Sequence, residues 1–249
     1  MGYIQSFERY ETKYLISSEQ AERFTEKACA FIDEDSYGSY TVCNIYLDTD
    51  DYYFITHSLD HPVYKEKLRI RSYGSVKDND LVYFEIKKKF GGVVYKRRIS
   101  VKESEALDFA VNQVKPSGLT NVSDRQILSE IEYLINTYSP KPKLYLAYDR
   151  KAYSSKHFPM LRITFDSGIR WRCNDVTLHS NDHGDYLDTG ISDYRLMEIK
   201  SFGAIPIEIT GILSELGIYP TSFSKYGEIF RQCICMQNKD RKDLLNNVR

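Results

Sequence analysis

Apolar and charged residues alternate with period two in one segment after another of this chain. In the run from Lys67 to Arg71, Arg69 and Arg71 take one side and Leu68 and Ile70 the other. Glu85 and Lys87 alternate with Phe84 and Ile86 in the same way, and Arg162, Thr164 and Asp166 oppose Leu161, Ile163 and Phe165. Arg170 and Arg172 repeat the pattern, as do Glu198 and Lys200 against Met197 and Ile199. A period of two is that of a β-strand, so each segment has one apolar face and one ionic face. A single strand of this kind is ordinarily half-buried, with its charged side in water. Solvated faces mix Thr, Ser and Gln with charges, whereas here Arg-x-Arg and Glu-x-Lys each occur twice. That recurrence points to a shared functional surface, with cations for an anion and carboxylates for a metal.

The same reading predicts the remaining elements. A first strand over 7–16 carries Arg9, Glu11 and Lys13 on one side. Ser17 and Gln20 have the spacing of a capping box and open a helix running to about residue 32. A strand over 43–47 leads to a turn at 48–51 and a short helix through 55. The strand 67–73 ends at Gly74, and strands 81–90 and 93–101 form a hairpin about Gly91-Gly92. Helices follow near 103–112 and 123–137. Strands are predicted at 143–150, 160–165 and 169–173, then a polar loop over 174–189 and a strand over 194–200. A helix over 206–216 and a last one after Tyr226 complete the chain. The expected fold class is α+β, with about eight antiparallel strands and helices packed outside, as one domain over 1–249. Either an open sheet or a closed barrel with the ions inside satisfies this pattern.

Composition narrows the chemistry. The 249 residues carry a net charge of −1, with a sequence pI near 6.5. A general nucleic-acid binder would show a basic excess, so nucleic acid is not an expected partner. Cations gathered on one face must then be balanced by an acidic remainder, which favours a focused anion site. The five cysteines are scattered without a Cys-x-x-Cys pair and indicate free thiols in a reducing compartment. A signal-peptide core and an apolar run of membrane-spanning length are both missing from the sequence, so a soluble cytoplasmic protein is expected. His179 and His183, near Asp182 and Asp185, read as parts of an exposed loop rather than a metal pair. Trp171 reads as a packing residue. Neither a Walker loop nor a Gly-x-Gly-x-x-Gly motif occurs.

With these residues assembled, the chain resembles the polyphosphate polymerase (VTC) domain family. The resemblance rests on seven segments in order: 7–14 (FERYETKY), 68–74 (LRIRSYG), 84–87 (FEIK), 148–153 (YDRKAY), 161–166 (LRITFD), 197–200 (MEIK) and 223–226 (FSKY). It implies a triphosphate tunnel fold, an antiparallel β-barrel whose lumen is lined by Arg, Lys and Glu. It also implies transfer of the ATP γ-phosphate to a growing polyphosphate chain, with Mn²⁺ or Mg²⁺. Under this resemblance Lys13, Arg69, Arg71 and Lys87 grip the nucleotide phosphates. Tyr148 and Arg150 flank the transferred group, and Lys200 and Lys225 contact phosphates further along. The hairpin contributes Lys96 or Arg97, and the ionic strand at 162–166 adds Arg162 to the phosphate-binding set. Glu198 matches the family's metal-binding glutamate, with Glu11 or Glu85 as its partners. The eukaryotic polymerases carry a second lysine three residues before the one at Lys225, where this chain has Ser222. A tripolyphosphatase or nucleoside triphosphatase of the same fold, or a polyphosphate-binding module without turnover, stays open as an alternative.

Overall fold

The computed structural model describes residues 9–234 apart from 92, 159, 180 and 181. Phe7 and Glu8 of the predicted first strand, Gly92 of the hairpin turn and Cys235 lie outside the described residues. All described strand pairings are antiparallel, and the hydrogen-bonded order is β1-β9-β7-β6-β2-β3-β4-β5, with the short β8 pairing β7. The path begins at β1 (Arg9–Ser17) and ends at β5 (Val93–Lys102). Between them come β2 (Ile32–Asp48), β3 (Tyr64–Tyr73), β4 (Leu81–Phe90), β6 (Lys141–Ser155), β7 (Arg162–Arg172), β8 (Asp185–Tyr186) and β9 (Tyr194–Phe202). The chain divides into two compact units, each with its own apolar core.

The first unit comprises Met1–Thr41, Tyr148–Ile169 and Asp188–Ser224. Helix α1 (Ser18–Ala28) opens with the predicted capping box, in which Ser17 accepts from the Gln20 amide and the Gln20 side chain accepts from the Ser17 amide. These bonds satisfy two of the donors that every helix start leaves without an intrahelical partner. Phe24 and Ala28 of α1 pack with Ile209, Ile212 and Leu213 of α5 (Ile207–Glu215) against Tyr14, Ile16, Ile163, Phe165, Met197 and Ile199. Those residues are the apolar faces of β1, β7 and β9. The two helices thereby cover one side of these strands, and the charged positions fall on the other.

The second unit comprises Val42–Ala147, Arg170–Leu187 and Lys225–Arg249. Its elements include α2 (Tyr53–Leu59), α3 (Glu103–Asn112), α4 (Val122–Tyr138) and α6 (Lys225–Ile229), which runs into a π-helical turn, Phe230–Ile234. Ile45, Leu68, Ile70, Phe84, Ile86 and Ile99 form the apolar face of β2 to β5. Phe109 from α3 and Ile131, Leu134 and Ile135 from α4 cover it. The plan matches that of the first unit, with apolar residues beneath helices and ionic residues opposite. Among the described residues, no helix is long and apolar enough to cross a membrane.

Several boundaries differ from the sequence expectation. α1 stops at Ala28 rather than near residue 32, because the chain turns tightly: the Phe31 amide bonds the Ala28 carbonyl and β2 begins at Ile32. β2 extends far beyond 43–47, because its first half (IDEDSYGSYT) is polar and largely exposed and offers no apolar alternation to read. The segments expected as two strands at 160–165 and 169–173 form one strand, β7, that passes through Gly168 at φ 55°. A backbone in that region suits glycine, which has no Cβ to clash. The loop expected at 174–189 contains the two-residue strand β8.

Candidate functional site

In the first unit, register fixes which charged residues are neighbours. Lys13 on β1 lies across from Glu198 on β9, and Glu11 across from Lys200. On the other side of β9, Thr164 faces Glu198 and Arg162 faces Lys200. Glu11, Lys13, Glu198, Lys200, Arg162, Thr164 and Asp166 therefore share one face. From β6, Arg150 makes a two-pronged bond to Asp166, Nε to Oδ1 at 2.6 Å and Nη2 to Oδ2 at 2.7 Å. Its guanidinium also lies 3.8 Å from Glu198 and 5.1 Å from the ring centre of Tyr148. Burial opposes the charge of Arg150, but Tyr148, Asp166 and Glu198 hold it protonated well above the usual guanidinium range. Lys200 reaches Glu198 at 2.9 Å. Arg162 pairs with Asp35 of β2 at 2.6 Å, toward the end of the face.

The Lys13 ammonium lies 3.6 Å from Glu11 Oε1 and 3.7 Å from Glu198 Oε1, and donates to the Phe223 carbonyl at 2.9 Å. Two carboxylates thus already hold a cation between them. Hard divalent ions take oxygen ligands of this kind, so Glu11 and Glu198 fit such an ion. Thr164 is buried beside Glu198, and its hydroxyl has no hydrogen-bond partner among the described residues.

The ionic face of the second unit is weighted differently. Register places Asn44 and Tyr46 beside Arg71 and Arg69, Arg69 beside Glu85, Glu85 beside Arg98, Lys67 beside Lys87, and Lys87 beside Lys96. Along the middle of β3, β4 and β5, Lys67, Arg69, Arg71, Lys87, Lys96 and Arg98 share this face with one carboxylate, Glu85. Arg69 Nε and Lys96 Nζ each approach Glu85 at 2.7 Å, and Arg71 Nε lies 3.9 Å from it. Arg69 also donates to the Tyr46 hydroxyl at 3.2 Å, and Arg71 donates to Asn44 at 2.8 Å. Tyr46 in turn packs on Tyr226, the residue after Lys225, at 4.9 Å between ring centres. Arg97 points the other way, pairing across from Ile86 and bonding Glu130 of α4. Of the two alternatives in the hairpin, Lys96 is the one on the ionic face. Arg98 joins it there, a residue that strict alternation opposite Glu85 would have identified.

Burial separates these faces from ordinary solvated ones. The Glu85 side chain is 1% exposed, Arg71 9%, Asp166 0%, Arg150 14% and Glu198 8%. Charges removed from water to this degree are costly unless they are paired or serve a ligand. The pKa directions in the second unit carry the same message. Burial alone would push the Tyr46 phenol up, yet Arg69, Lys67 and Arg71 bring it down to about 8. Burial lowers Lys96 to about 8, with Arg69 and Arg71 adding to the effect and Glu85 opposing it. The phenol, lowered by cations against the effect of burial, marks a positive local potential. Burial raises Glu85, but Arg69, Arg71 and Lys96 take it down to about 2.

A pH dependence follows. As pH rises through about 8, Lys96 loses its positive charge and Tyr46 gains a negative one, so both changes oppose an anion. Tripolyphosphate itself gains charge in this range and would bind more tightly if the protein did not titrate. The expected result is an affinity that falls several-fold between about pH 7 and 9. Calorimetric titration of the wild type beside Lys96→Met, in which the fall is shallower, checks it.

Arg170 and Arg172 belong to a different task. Arg172 donates to the carbonyls of Asp175, His183 and Thr177 at 2.8, 2.7 and 2.9 Å and stacks on Tyr145. Arg170 bonds the Asp182 carbonyl and carboxylate. These two arginines pin the loop that follows β7.

Comparison with known proteins places this geometry. A candidate adenylate cyclase of Bacillus halodurans has a similar structure, with a TM-score of 0.52, 17% identity and coverage of 90% of this chain and 96% of that one. A Hippeastrum protein, a candidate adenylyl cyclase described as having a dominant triphosphatase activity, matches with a TM-score of 0.48 and 14% identity over 90% of this chain and 95% of its own. At 17% identity the likeness to the Bacillus halodurans protein concerns the fold alone. No curated protein matches the chain at a significant level. The profile of the VTC domain matches residues 8–233, nearly the whole sequence, and the chain therefore belongs to the VTC domain family.

Proposed function

We propose that this protein is an ATP-dependent polyphosphate polymerase, moving the γ-phosphate of ATP onto a polyphosphate chain with the help of Mn²⁺ or Mg²⁺. The observation that carries this reading is the cation-rich face of β3, β4 and β5, where six cations share one carboxylate and Arg69, Lys67 and Arg71 lower the Tyr46 phenol against its burial. Phosphoryl transfer asks mainly for charge neutralisation and in-line positioning. A phosphate acceptor is already anionic, so no side chain need act as a strong base. Arg69 and Arg71 supply rigid guanidinium forks for phosphate oxygens, and Lys67, Lys87 and Lys96 supply point charges. Lys225 serves the same anion from the start of α6.

In the first unit, Glu198 with Glu11 would hold the divalent ion, which when bound would supply neutralisation of phosphate charge. Arg150, kept in place by Asp166, would meet the transferred group together with Tyr148. Lys13, Lys200 and Arg162 complete the cationic set on that face. Glu85 is read as a counter-charge for the arginines rather than a metal ligand, since Arg69 and Lys96 each approach it at 2.7 Å. Among the described residues no second carboxylate shares its face along β3 to β5, whereas Glu198 has Glu11 beside the same Lys13 ammonium. Membership of the VTC domain family supports a triphosphate or polyphosphate substrate in general terms. A cytoplasmic setting with ATP and inorganic polyphosphate as partners fits the same reading.

Ser222 favours a second reading, hydrolysis of tripolyphosphate or a nucleoside triphosphate. It is exposed where a further lysine would help to conduct a growing product. Incubating the full chain with ATP and Mn²⁺ separates the two. Long polyphosphate on a gel is the expected product, and release of inorganic phosphate without chains would replace polymerisation by hydrolysis. Binding of polyphosphate with no turnover would overturn both.

A further inference from the structure

We propose that Asp78, Glu103 and His179 form a binding site for one divalent transition-metal ion of the zinc type, distinct from the carboxylates at Glu11 and Glu198. The three residues come from separate stretches of the second unit: the turn between β3 and β4, the first position of α3, and the loop after β7. Backbone bonds hold these stretches together independently of the side chains. The Val76 amide donates to the Leu178 carbonyl at 3.3 Å, the Glu103 amide to Asp80 at 2.9 Å and the Ser104 amide to Asp78 at 3.1 Å. Arg170 and Arg172 fix the loop that presents His179.

The ligand atoms converge. His179 Nε2 lies 2.6 Å from Glu103 Oε2 and 3.2 Å from Asp78 Oδ1, and the three atoms fall within 4.8 Å of one another. Neighbouring ligands of a tetrahedral zinc ion stand about 3.3 Å apart, given metal–ligand bonds of about 2.0 Å. Small side-chain movements therefore admit the ion.

A second observation points to a ligand. Glu103 is wholly buried, and its other oxygen, Oε1, has no hydrogen-bond partner among the described residues. The single Nε2–H of the imidazole, directed at Oε2 and at most shared with Oδ1, would leave Oε1 buried and unmet, which is costly. A cation held through both Glu103 oxygens satisfies the whole group, as carboxylates bind metals in one- and two-oxygen modes. One imidazole nitrogen and two carboxylates form a borderline donor set that suits zinc. Asp78 is exposed, so water can complete the shell. The sequence concealed the site because two of its three ligands lie about 75 residues or more from the histidine.

The test is equilibrium dialysis of the chelator-treated full chain against Zn²⁺, with Mg²⁺ in excess to occupy hard oxygen sites. One zinc ion is expected on the wild type and on Glu198→Gln. His179→Ala and Asp78→Asn should weaken its binding by on the order of 100-fold. Both residues are partly or largely exposed, so these variants should fold. Co²⁺ in place of zinc should give visible ligand-field bands without a near-ultraviolet thiolate band, which excludes capture by Cys29 or Cys173. Absence of zinc uptake by the wild type, uptake unchanged in both ligand variants, or a thiolate band would overturn the proposal.

Discussion

Glu85→Ala is expected to lower the stability of the free protein by roughly 3–5 kcal/mol, the usual cost of leaving buried charges without their partner. Arg69, Arg71 and Lys96 all converge on this carboxylate, so its loss leaves three cations repelling one another around a buried position. In a chain of this length the melting temperature should fall by roughly 6–20 °C. The same substitution removes the one negative charge from the middle of a face built for anions. Tripolyphosphate should therefore raise the melting temperature of Glu85→Ala by more than it raises that of the wild type. For the wild type, ligand at about 100 times its dissociation constant contributes roughly 2.7 kcal/mol. Thermal melts with and without tripolyphosphate measure both effects. A variant that is destabilised but gains no more than the wild type from the ligand would show that Glu85 only fills space. The Glu85 carboxyl falls from 4.5 to about 2 on folding, so its contribution is complete above about pH 4.5. It is lost as pH falls through about 2.

Glu198→Gln should reduce metal-dependent turnover by on the order of 100-fold or more, since it removes the charge of the carboxylate proposed to hold the metal. Folding should suffer less than in the first case. Arg150 keeps its two bonds to Asp166, and Lys13 keeps Glu11 and the Phe223 carbonyl. With a negative charge gone, tripolyphosphate binding in the absence of metal should be retained or strengthened. Initial rates across a Mn²⁺ titration, set beside metal-free binding, separate the two consequences. Full activity in this variant would remove Glu198 from the metal site.

Alternation made the ionic strands legible before any coordinates. β3, β4, β7 and β9 each set consecutive apolar residues on the partner face (Leu68 and Ile70; Val82, Phe84 and Ile86; Ile163 and Phe165; Met197 and Ile199), and the capping box at Ser17 and Gln20 announced α1. The first half of β2 escaped notice because polar residues occupy both of its faces. Spacing could not choose between Lys96 and Arg97, because three cations follow one another and only pairing with β4 sets the parity. Asp166, the partner that holds Arg150, was visible as a charged residue but not as a support, since that contact joins two strands. His179 looked isolated for a related reason, its neighbours being supplied by distant turns.

The register of β3, β4 and β5 also limits how this sequence can change in length. Deleting one residue within β4 would carry Phe84 and Ile86 into the place of the charges and push Glu85 and Lys87 against the helices α3 and α4. Both sides of the sheet would be spoiled by a single codon. Strands of this kind can be shortened or extended only by even steps, or at their tips, so gaps between functional relatives should fall in turns or come in pairs.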